Sequence, residues 1–94
     1  MDATVSAEHL AKYFNYTERG LAAARAAVDA TREAQARDFL DMAQRYHDDA
    51  RHFEAKGDRV TAFAALSYAH GWLDAGARIG LFQVKDSTLF TVDD

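Results

Sequence analysis

Proline is absent from this chain, and so is cysteine. Without proline nothing forces a helix to kink or stop, and without cysteine disulfides and thiolate chemistry are excluded. Glycine occurs five times and never in pairs, so no glycine-rich loop exists to cradle a phosphate. Long uncharged runs are missing too. The most apolar window, Val60 to Phe82, carries His70, Asp74 and Arg78, and two full charges there argue against a membrane span. The opening MDATVSAEHL has neither a basic n-region nor an apolar h-region, so no signal peptide is expected and the reading is soluble and cytoplasmic. No HExxH pair, nucleophile elbow or zinc-type cluster appears. Catalytic residues, metal ligands and cofactors are therefore not expected.

What fills the chain is alanine, twenty residues of ninety-four, and long helices are the natural outcome. The length suits one helical domain over 1–94. Asp outnumbers Glu eleven to four, Arg outnumbers Lys eight to three, and the net charge is -4. An Ala- and Asp-rich, Lys-poor composition suggests a salt-loving archaeal source, where short, well-hydrated carboxylates keep surfaces soluble. The acidic balance disfavours nucleic acid as a partner, an argument that weakens if every protein of the source is acidic.

Hydrophobic spacing divides the chain. Ser6 is a candidate N-cap with Glu8 in the first turn, and Leu10, Phe14, Thr17, Leu21, Ala24 and Val28 then fall 4, 3, 4, 3 and 4 apart. That is one face of a helix over about 7–30. Gly20 inside it costs roughly 1 kcal/mol against Ala and could mark a bend. The stripe restarts out of phase at Ala36, Phe39, Leu40, Ala43, Tyr46, Ala50 and Phe53, which places a tight corner near Thr31, its expected cap, and a second helix over about 33–56. Arg37, Asp41, Arg45 and Asp49 form a solvated ladder on its opposite side. Gly57 suits a left-handed C′ position and Asp58 caps a third helix over about 59–80. This helix is apolar on almost every side. Ala62, Ala65, Ala69, Gly76 and Gly80 gather into a flat strip for close approach of another helix, while Tyr68, Trp72 and Ile79 lie across from Leu66 and Leu73. Equal lengths and short corners imply an all-α antiparallel three-helix bundle. From residue 81 the pattern alternates, so an extended tail or short hairpin over 81–94 is expected.

The run A-x-x-Y-x-x-D-A-x-x-F-x-x-x-G-D from Ala43 to Asp58, followed by A-L-x-Y-A-x-G-W-L-D-A-G-x-R-I-G-L from Ala65 to Leu81, resembles the archaeal family called domain of unknown function 357. The resemblance implies a small helical fold and an archaeal source, and no reaction. Tetratricopeptide repeats share the helix–Gly-Asp–helix outline, but have shorter helices and a repeated unit that is missing here. A small helical RNase family places an Arg a few residues before a His near a helix end, and this chain has no Arg followed four to six residues later by His.

Few constellations carry chemistry. His70, Asp74 and Arg78 lie at i,i+4 on one helical stripe. An intrahelical polar network is the simpler reading, and a carboxylate oriented on a His, for catalysis or metal binding, the sharper one. Asp48 and His52 share the same spacing with His47 turned to the shoulder, so a third ligand is lacking. Tyr13, Phe14, Tyr16, Tyr46, Phe53, Phe63, Tyr68 and Trp72 are read as core. Lys12 and Arg19 share one side of the first helix while Arg25 and Arg32 share another, so no basic stripe forms. The function expected is a non-catalytic helical protein-interaction module, self-associating as a homodimer, with an RNA-associated accessory role second and a His70–Asp74 site third. The candidate interface comprises Gly76 and Gly80 of the third helix and Phe82, Val84, Leu89, Phe90 and Val92 of the tail, whose apolar surface must either fold back over its own bundle or cross to a neighbour.

Overall fold

A computed structural model describes residues 5–85 and 88–90 of the chain. Helix α1 spans Ala7–Arg25, α2 Glu33–Ala55 and α3 Arg59–Arg78, with a one-turn 3-10 helix, Ala30–Arg32, between the first two. Among the described residues there is no named strand, and the all-α bundle stands as the spacing predicts.

The clearest local signals became caps. Ser6 accepts a hydrogen bond from His9 N at 3.0 Å, and Asp58 accepts one from Thr61 N at 3.1 Å. Both α2 and α3 end in the same Schellman geometry. Gly57 (φ 78°) and Gly80 (φ 79°) take the left-handed conformation, and the following amides reach back, Asp58 N to Phe53 O and Leu81 N to Gly76 O, each at 2.9 Å. Side chains other than Gly rarely adopt that φ, which is why the chain turns at these two points.

The end of α1 differs from expectation. The helix stops at Arg25 rather than near residue 30. Asp29, not Thr31, caps the corner: its carboxylate accepts from Thr31 N and Thr31 Oγ1 at 2.9 and 2.7 Å. The physical cause lies far along the sequence. Val28 forms an antiparallel bridge with Phe82, Gln83 N donates to Ala27 O at 2.7 Å, and Asp29 N donates to Leu81 O at 2.9 Å. The α1–α2 link therefore supplies the strand partner that a helical bundle otherwise lacks.

The core forms two connected regions. Toward one end, Leu10 and Phe14 of α1 meet Ala50 of α2 and Ala62, Ala65 and Leu66 of α3. Toward the other, Leu21, Leu40 and Leu73 enclose four tail residues, Leu81, Phe82, Leu89 and Phe90. Ala36, Ala43 and Ala50 of α2 are completely buried, and α2 and α3 form the most extensive helix pair. Small residues let two backbones approach closely, so packing rather than large side chains fills this seam. Gly20 is buried without ending α1, and a Cβ there would lie 3.3 Å from Leu73 Cδ1. The glycine makes room for α3.

Candidate interaction surface and a cleft beneath the tail

The expected interface residues of the tail are used inside the chain. Leu81 and Phe82 are fully buried, Leu89 and Phe90 nearly so, and Val84 is half-buried. Fold-back is the arrangement the structure adopts; Val92 lies outside the described residues. Gly76 serves the same packing. Its nearest neighbour is not a helix but the tail: a Cβ there would stand 2.8 Å from Phe82 Cδ2 and closer still to Cε2. The small strip of α3 thus receives α2 along part of its length and an aromatic ring of the tail at its end.

With α1, α2 and the tail on three sides, the remaining face of α3 stays open. Tyr68 is 62% exposed and Ile79 53%. Tyr68, Trp72, Ala75 and Ile79 follow the 4, 3, 4 helical spacing and run along the axis. Tyr68, Gly71, Trp72 and Ala75 line a shallow groove of about 280 Å³ with no charged side chain. Tyr46 stacks on Tyr68 at 5.2 Å between ring centroids, and Phe39 meets Trp72 edge-on at 5.0 Å. These α2 rings fix the orientation of the α3 rings before anything docks, which lowers the entropy cost of binding. Of the aromatics expected in the core, Phe14 is buried, Tyr68 is exposed and the others are partly covered. A stripe that looks buried by spacing stays open because no fourth α-helix among the described residues covers it.

Gly71 is the unusual member of this face. It sits inside α3, and a Cβ built on it meets nothing within 4 Å. Mid-helix glycine costs about 1 kcal/mol relative to alanine, and no packing among the described residues requires it.

On the opposite flank of α3, beneath the tail, lies a cleft of about 290 Å³ walled by Tyr13 and Tyr16 of α1, His70 and Asp74 of α3, and Leu89 and Phe90. The Tyr16 hydroxyl donates to the carbonyl of Thr88, and the Tyr16 ring lies 4.9 Å from the His70 ring. His70 Nε2 is buried and has no hydrogen-bond partner among the described residues. Burial pushes the His70 pKa down, partly opposed by the negative charge of Asp74. His70 and Asp74 therefore do come together, as two walls of one cleft with the Asp74 charge acting on the His70 ring; Arg78 stands exposed at the end of α3.

A third constellation escaped the spacing argument. Glu18 of α1 accepts from Arg51 Nη2 of α2 at 2.8 Å, and His47 Nε2 lies 2.7 Å from the same carboxylate. His47 Nδ1 lies 3.1 Å from Asp48 Oδ1, and the Arg51 guanidinium sits 3.8 Å above the Phe14 ring. Burial pushes the Glu18 carboxyl up, but the hydrogen bonds and charges of His47 and Arg51 outweigh it and hold the pKa below its ordinary value. His47 accordingly points into the α1–α2 seam, not to the helix shoulder. Asp48 bonds His47 and Gln44, while His52 meets the edge of Phe53. Among the described residues no group of three His, Cys, Asp or Glu could hold a metal ion. The solvated ladder on α2 is present, with Arg45 paired to Asp41 at 2.9 Å and Arg37 paired back to Glu33.

No helix among the described residues is long and apolar enough to cross a membrane. No curated protein and no solved structure matches the chain. A model of the proteins of unknown function called DUF357 matches residues 12–82, from the first turns of α1 to the Val28-paired Phe82. With that match spanning most of the chain and all three helices, the protein belongs to the DUF357 family.

Proposed function

We propose that this protein is a non-catalytic helical interaction module that binds protein through the open face of α3, beginning with a second copy of itself. The observation that carries the reading is Gly71. An exposed glycine that the monomer has no use for, in a groove between the ordered rings of Tyr68 and Trp72, suits a site where another backbone comes close. Small residues at a crossing point allow short interhelical distances, and flanking rings supply buried area.

A two-fold axis near Gly71 and Ala75 makes the face its own complement, because the large rings of one copy flank the small centre of the other. Self-association also suits the electrostatics. The chain is acidic overall, so like copies repel except where charge is missing, and this groove has no charged lining residue. The tail contributes indirectly, by holding the far side of α3 in place.

Solution mass measured against concentration tests the proposal with wild-type protein and Gly71→Leu. Because the Cβ position is open, the variant should keep its fold. The expected result is a wild-type dimer and a monomeric, fully folded Gly71→Leu. A wild-type chain that stays monomeric at all concentrations, or a variant that dimerises equally well, overturns the reading.

A further inference from the structure

We infer that the second copy docks antiparallel across α3, in a register that sets Tyr68 on the partner's Ala75 and Ile79 on the partner's Ala64. The inference rests on the homodimer proposed above and adds its orientation and its pairing. Four exposed side chains of α3 carry it. Ala64, Tyr68, Ala75 and Ile79 stand 4, 7 and 4 residues apart, and at 3.6 residues per turn they fall within an arc of about 60°. The spacing is the same in both directions, but the order of sizes is not. Read forward, the stripe runs small, large, small, large; read backward, it runs large, small, large, small. Laid on its own reverse, every large side chain meets a small one.

The centre of that spacing falls between Gly71 and Trp72. A two-fold axis there makes both halves of the contact identical, as a symmetric dimer requires. Gly71 then lies beside the axis, where the two backbones come closest, and a Cβ at this position meets nothing within 4 Å in its own chain. The large members of the face are held from below, Tyr68 by the Tyr46 ring and Trp72 by Phe39. A parallel copy fits badly. It sets each side chain against its own counterpart, so Tyr68 meets Tyr68 and Ile79 meets Ile79. Those contacts hold the helices apart and leave Gly71 and Ala75 facing a gap, where dispersion contacts are forfeited.

The chain has no cysteine, so introduced thiols report the register without background. Oxidation joins two cysteines only where their Cα atoms lie within about 7 Å. Isotope-labelled Tyr68→Cys and unlabelled Ala75→Cys are mixed under reducing conditions, oxidised, and the linked species weighed by mass spectrometry. Labelled–unlabelled pairs should dominate, because position 68 of one copy faces position 75 of the other. Pairs of like with like should be scarce, since the two copies of position 68 stand about 10 Å apart along the axis. Ala64→Cys mixed with Ile79→Cys, which leaves Tyr68 in place, should behave the same way. Ala75→Tyr sets ring on ring and should lose the dimer, and adding Tyr68→Ala to the same chain should restore it. The inference is overturned if the single variants link like with like, if a wild-type dimer exists but neither mixture links, or if Ala75→Tyr dimerises as wild type does. Each of those results leaves the homodimer itself standing, whereas a wild-type chain that is monomeric at every concentration removes both readings.

Discussion

Gly71 and Gly76 stand five residues apart in α3, and the same replacement should act on them in opposite directions. Gly76→Ala drives a methyl group into the Phe82 ring and is expected to cost about 1–3 kcal/mol by overpacking. Gly71→Ala meets open space and should stabilise the monomer by up to about 1 kcal/mol through helix propensity. Urea denaturation of the two variants checks both signs. Sequence spacing already set Gly76 in the close-approach strip and left Gly71 outside it; what it could not show is that the close neighbour is a ring six positions beyond Gly76. His70 carries a second expectation. Its folded pKa lies below the unfolded value of about 6.5. Above that pH both states are neutral and its contribution to stability is fully present. As pH falls below it the unfolded chain takes the proton first, and stability declines until the folded value is passed. His70→Phe should flatten this part of the curve in denaturation midpoints measured from about pH 7.5 down to 5. The Glu18 and Asp48 carboxyls are held low, so they act in a more acidic range, where stability is lost as pH falls through their lowered values.

Helix boundaries were legible in the sequence wherever the signal was local. Ser6, Gly57 and Asp58 cap the positions their side chains imply, because a cap depends on a few neighbouring atoms. The end of α1 was illegible for the opposite reason. Ala26 and Ala27 are good helix formers, and what stops the helix is the backbone of residues 81–83 pairing with Ala27 to Asp29. The Glu18 cluster was equally hidden, since its partners are 29 and 33 residues away. Two measurements bear on these elements. Phe82→Ala removes a ring that is 1% exposed and should cost about 3–5 kcal/mol; a cost below about 1 kcal/mol would mean the tail is not part of the core. Glu18→Gln should cost less than about 1 kcal/mol, because the carboxylate is 43% exposed and its attractions are screened.

For the molecule as a whole, sequence reasoning recovered the three α-helices and the inward sides of α1 and α2, since both follow from apolar spacing. It did not recover which side of α3 stays open, because an aromatic stripe is written the same way whether it meets its own chain or another. The excess of Asp and Arg over Glu and Lys supports a proposal of adaptation to high salt, and it has a simple expectation. Screening the acidic surface should raise the thermal midpoint as potassium chloride increases into the molar range. A midpoint that falls steadily with salt would remove the halophilic reading. Dimerisation through an uncharged face should survive the same titration, whereas an interface built on ion pairs would dissociate.

The bridge between Val28 and Phe82 also sets an order of events during synthesis. Helices α1, α2 and α3 leave the ribosome before residues 81–90, and until those residues follow, the pocket around Leu21, Leu40 and Leu73 has no lining on its outer side. A chain with its helices formed and this pocket open would be the kind of species that chaperones recognise. Closure joins segments 54 positions apart, a non-local contact of the kind that lowers folding rates. Without Leu81, Phe82, Leu89 and Phe90 that end of the three-helix core stays open.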